Sequence, residues 1–83
     1  MKERRARPRR TQETLATGLI QAILRDPRHA AADLERDLRA GADVSSVMAL
    51  LEAADALSRL RGLDLRASIG IVRRQLSRAG FAA

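Results

Sequence analysis

Between Val44 and Gly80, apolar residues recur at three- and four-residue intervals in two segments parted by Arg61-Gly62-Leu63-Asp64. That spacing lines side chains up along one side of a helix of ~3.6 residues per turn. The first segment sets Val44, Val47, Met48, Leu51 and Ala54 on one face, with Leu50, Ala53, Leu57 and Leu60 on its flank. So wide an apolar arc predicts a central helix that touches neighbours on more than one side. The second segment carries Leu65, Ile69, Val72, Leu76 and Ala79 inward with Ile71 beside them, and Arg66, Arg73, Arg74 and Arg78 outward.

The ends of these segments are marked by residue types with a physical role. Gly62 stands where a left-handed C-cap is wanted, and Leu63 after it is placed to fold back on the last turn near Leu57. Asp64 can accept from the unpaired amides that open the next helix and set a negative charge at its positive end. Gly80 and Phe81 repeat the device, which puts Phe81 over Leu76. A turn this short requires the two helices to pack side by side or to cross at a steep angle.

Upstream, Thr11 is a plausible N-cap for a helix striped by Leu15, Leu19, Ile20, Ile23 and Leu24. Gly18 interrupts it at a cost of about 1 kcal/mol against Ala, which predicts a compensating close crossing with another helix. Asp26-Pro27 ends this helix and opens the next, because Pro disfavours helical geometry in the residue before it and suits the first helical position after an Asp cap. The second helix buries Ala30, Ala31, Leu34 and Leu38, exposes a like-charge pair at Asp33 and Asp37, and closes at Gly41. Asp43 or Ser45 then caps the Val44 segment. The expected fold is therefore all-α: a compact bundle of four short helices at about 11–25, 27–40, 44–61 and 64–79, in one domain spanning 11–83. Residues 1–10, which include Pro8 and no apolar residue larger than Ala after Met1, read as a disordered basic arm.

Phe81 is the only aromatic residue among 83, so the core is aliphatic. A chain this short barely supplies one core, which favours a core shared in a homodimer, with Gly18, Leu50, Leu57, Gly70 and Ile71 as interface candidates. Cysteine is absent, which excludes disulfides and thiolate metal sites. No apolar run approaches the roughly 18 residues of a membrane span, and no apolar stretch follows the basic start as in a signal peptide. A cytoplasmic protein without membrane partners is the expectation.

The net charge of +6 is unevenly distributed. Lys2, Arg4, Arg5, Arg7, Arg9 and Arg10 face only Glu3 in the first ten residues, and Arg59, Arg61, Arg66, Arg73, Arg74 and Arg78 face only Asp64 in the last segment. Between them acidic residues predominate. Catalysis has little to draw on: His29 has no second histidine or cysteine to pair with, and the glycines are scattered singly rather than gathered into a phosphate-binding loop. The expectation is a non-enzymatic protein without cofactor or metal.

The charge pattern points first to duplex DNA. The helices hinged at Gly62 loosely resemble a helix-turn-helix over Ala53 to Gly80, with Ile69 and Val72 arriving about a turn late after the glycine. On that reading Arg66, Arg73, Arg74 and Arg78 contact phosphates or bases, and Arg4, Arg5, Arg7, Arg9 and Arg10 add phosphate contacts from the arm. The near absence of aromatics disfavours single-strand or RNA recognition by stacking. A regulator or accessory factor is the role this implies. The alternative is a protein-binding helical adaptor, similar in composition to secretion chaperones, antitoxins and phage-encoded inhibitors, that sequesters a partner's helix in a groove.

Overall fold

The computed structural model describes residues 7–81, with side chains described for 13–81. Four helices follow one another: α1 (Arg7–Arg25), α2 (Pro27–Arg39), α3 (Val44–Leu60) and α4 (Arg66–Arg78), with no strand among the described residues. No helix among them is long and apolar enough to cross a membrane.

The helix ends follow from the residues at them. Asp26 is extended, at φ −165° and ψ 103°, and its carboxylate accepts from the Arg28 and His29 amides at 3.1 and 3.4 Å. It is also the only residue between α1 and α2, so one side chain caps the corner that joins them. Asp43 rather than Ser45 caps α3, accepting from both the amide and the hydroxyl of Ser46 at 3.0 and 3.1 Å. At the other ends Gly41, Gly62 and Gly80 take φ of +113°, +78° and +96°. Each closes its helix with the same pair of bonds. After α3, Leu63 N donates to Ser58 O at 2.8 Å and Gly62 N to Arg59 O at 3.0 Å. After α4, Phe81 N donates to Leu76 O and Gly80 N to Ser77 O. This is the arrangement in which the two residues after the last helical turn satisfy carbonyls that the helix leaves open.

The start of α1 differs from the reading that placed residues 1–10 in an arm. Arg7, Arg9 and Arg10 belong to the first turns of α1, and Thr11 lies inside the helix rather than capping it. Pro8 is compatible with this, because the first-turn amide it lacks would have no intrahelical acceptor. Arg4 and Arg5, with the rest of residues 1–6, lie outside the described residues.

Packing runs between alternate helices. The most extensive contacts join α2 to α4 and α1 to α3, with α1 also lying along α2, whereas α3 and α4 meet only over a short stretch. Both α1 and α4 touch all three other helices, and α1 makes extensive contact with two of them. The expectation that α3 would be central is corrected: it lies along α1 and meets α4 only briefly, as two helices that cross steeply do. All four helices nevertheless feed one core: Leu19, Ile20 and Ile23; Ala30, Ala31, Leu34 and Leu38; Val47, Leu51 and Ala54; Ile69, Val72 and Leu76, with Leu65 just ahead of α4. Phe81 packs at its edge, and the Arg39 guanidinium stands 5.7 Å from its ring centroid.

Three leucines in the predicted stripes fall outside this core. Leu15 and Leu24 are 53% and 56% exposed, because nine residues turn a helix through about 900°, leaving the two on opposite sides. Ala16 is buried in the arc between them. Leu60 is 84% exposed, and the position that continues the Val47, Leu51, Ala54 line is Ser58. Its hydroxyl donates to Asp55 O at 2.7 Å, so a polar side chain is buried without an unmet bond.

Leu51 is wholly buried where α3 meets the shared core. Leu51→Ala is expected to cost about 2–5 kcal/mol in denaturant unfolding.

Candidate nucleic-acid interface

The sequence of α4 contains no carboxylate, and its four arginines, Arg66, Arg73, Arg74 and Arg78, are all exposed. Among the described residues the arginines that do form ion pairs lie on other helices. Arg36 bonds Asp33 at 3.3 Å, Arg39 bonds Glu35 at 2.8 Å and Arg59 bonds Asp55 at 3.0 Å, each within one turn of its own helix. Such pairs form because Asp or Glu precedes Arg by three or four residues on α2 and α3. On α4 no such acid exists, and the fold brings none from a neighbouring helix. Asp64, the nearest in sequence, accepts from the Arg66 amide at 3.3 Å.

The placement of these cations follows from helical geometry. Arg66 and Arg73 lie seven residues apart and therefore share one flank of α4 about 10 Å apart along its axis, while Arg74 and Arg78 stand about 100° further round, opposite the buried Ile69, Val72 and Leu76. Gly70 and Ser77, both small, lie between the two rows.

Two shallow concavities mark the surface. One is lined by Arg28, Ile71, Arg74, Gln75 and Arg78, and so joins the first turn of α2 to the outer side of α4. Arg28 was not among the expected contacts. It lies in the acidic middle of the sequence, and only the packing of α2 on α4 brings it to the other cations. The second concavity is lined by Glu13, Thr14, Thr17, Gly18, Gln21 and Arg61, with Arg61 Nη2 donating to Thr17 Oγ1 at 3.4 Å. Its cation is tethered and accompanied by a carboxylate, so it offers a weaker anion site.

The interface candidates fall on three helices. Gly18 is exposed on α1, Leu50 and Leu57 are half-buried on α3, and Gly70 and Ile71 are half-buried on α4. Neither Gly18 nor Gly70 lies at a close crossing within the chain, since a Cβ added at either would meet nothing within 4 Å. The close crossing expected at Gly18 is therefore not made within the chain. His29 is exposed, with Nε2 3.6 Å from Asp33 Oδ2 one turn along α2. No group of three or more His, Cys, Asp or Glu side chains suited to a metal comes together among the described residues.

No protein-family model, curated protein or solved structure matches the chain.

With open space around it and a helical neighbourhood, Gly70→Ala is expected to raise stability by about 0.5–1 kcal/mol in thermal or denaturant unfolding, the ordinary gain in helix propensity. A loss of stability would show that Gly70 seats against something, such as a second subunit.

Proposed function

We propose that the chain binds duplex DNA through the outer face of α4 and the cations at its N-terminus, acting as a small non-enzymatic regulator or accessory factor in the cytoplasm. The observation that carries this reading is the division among arginines: Arg36, Arg39 and Arg59 have carboxylate partners within a turn, whereas among the described residues the four of α4, and Arg28 beside them, have none. An unpaired guanidinium can take up a phosphate without first giving up an acid, and its planar fork suits bidentate bonds to phosphate oxygens. Binding is driven by release of counterions from the DNA. A helix with exposed arginines along its outward side and one flank fits a major groove about 12 Å wide, where they meet phosphate oxygens or base edges. Phe81, the only Phe, Tyr or Trp in the chain, packs at the edge of the core, and so sparse a supply of aromatic rings favours the double strand.

The outer face of α3 supports the accompanying dimer. Leu50, Ala53, Leu57 and Leu60 follow one another along a helix side on which no charged residue lies, although 31% of the chain is charged. A second copy is the fitting occupant, because a two-fold axis sets the same uncharged stripe against itself without stranding a buried charge. Since α4 packs on α2 and scarcely touches α3, such a dimer leaves both sets of α4 arginines available. The same face would serve the adaptor reading, with a helix of another protein in place of the second copy.

Two measurements test these readings. In salt titrations of a labelled duplex, removal of residues 1–6, with three cations, is expected to lower the magnitude of the log-log slope by about 2.7, and Arg73→Ala with Arg74→Ala by about 1.8. Binding that is absent at low salt, or indifferent to both changes, overturns the DNA reading. In sedimentation, Leu57→Asp with Leu60→Asp is expected to convert a dimer to monomers. A wild-type chain that is already monomeric would turn that face over to a different protein partner.

A further inference from the structure

We infer that Arg28, Arg74 and Arg78 together form a site for one phosphate group, a reading that rests on the proposed DNA interface and identifies a point of attachment within it. The three guanidinium side chains come from two helices yet line one concavity, and none forms an ion pair among the described residues. Arg74 and Arg78 stand four residues apart on α4, where like charges repel. Arg28 is the second residue of α2, where the positive end of the helix dipole disfavours a cation. Arg28 is thus poorly placed for its own helix and Arg74 and Arg78 repel each other, although the end of α4 suits Arg78, and packing α2 on α4 brings the three together rather than apart. One anion relieves all of these repulsions at once.

The nearest carboxylate in sequence does not fill that role. Asp26 Oδ1 accepts from the Arg28 and His29 amides, so its charge is engaged by the opening turn of α2. Those amides are in turn occupied, and the site draws on guanidinium groups, with the Gln75 amide as a further donor at its edge. The remaining lining residue, Ile71, is aliphatic, so no aromatic ring lines the site. The recognised chemistry is therefore the phosphate itself, supplied either by a duplex backbone or by a free phosphate ion.

The test uses the full chain labelled with ¹⁵N and follows its arginine Nε–Hε signals, with inorganic phosphate and a short DNA duplex as separate probes. Arg28→Gln removes one member of the site, and Arg36→Gln, whose side chain pairs with Asp33, serves as control. The expected result is that Arg28, Arg74 and Arg78 shift together with one midpoint. Arg28→Gln should also lower the magnitude of the duplex salt slope by about 0.9, as for one phosphate contact, with the control unchanged. Joint shifts with the duplex alone assign the phosphate to a nucleic-acid backbone. Joint shifts with inorganic phosphate, in a chain that does not bind duplex, keep the site while removing the DNA reading. Shifts of Arg74 and Arg78 without Arg28, an Arg28→Gln chain that behaves like the control, or no response to either probe would overturn the inference.

Discussion

A single extended residue separates the first two helices, and most of the architecture depends on it. Asp26 closes α1 by donating to Ala22 O at 2.9 Å and opens α2 by accepting from the Ala30 amide at 3.0 Å, while its side chain caps the new helix. Pro27 prevents the chain from continuing straight. The angle between α1 and α2 is thereby set by local chemistry before any other helix docks. Each then offers an apolar face, and α3 settles on the first while α4 settles on the second. Aliphatic residues from all four meet in one core, in which Ala30 and Ala31 let α2 approach its neighbours closely.

The glycine caps complement that corner. With Gly41, Gly62 and Gly80 in the left-handed region, α2, α3 and α4 end at defined residues and the chain changes direction within a few positions. Because the helix ends are fixed, so is the rotation of each helix about its axis, and with it the placement of surface charge. On α2 and α3 the acids and arginines alternate at helical spacing and neutralise one another locally. On α4 the acids are missing, and the fold supplies none from elsewhere. Exposed ion pairs contribute little to stability, so this division matters less for folding than for what the surface can bind.

Much of this was legible in the residues. The four helices, the Asp26-Pro27 corner, the three glycine stops and the buried positions of α2 and α4 all follow from spacing and cap chemistry, which are local properties. The errors have a common origin. Leu15 and Leu24 were read into one stripe although they diverge around the helix, and α3 was read as central from the width of its own apolar arc, which does not show which helices it meets. Arg28 escaped notice as a site residue for the same reason, since its companions lie more than forty positions away.

By itself, the sequence determined which segments are helical, where each stops, which face of most of them is apolar, and that the last helix carries cations without acids. These are consequences of bonds and spacings within a few residues. Only the tertiary structure decided that α3 lies mainly on α1, that α4 lies mainly on α2, and that three distant arginines share one concavity. An apolar stripe shows that a helix has a partner but not which one, because burial of aliphatic surface is non-directional. The choice among partners is made by shape when all four faces compete for the same core.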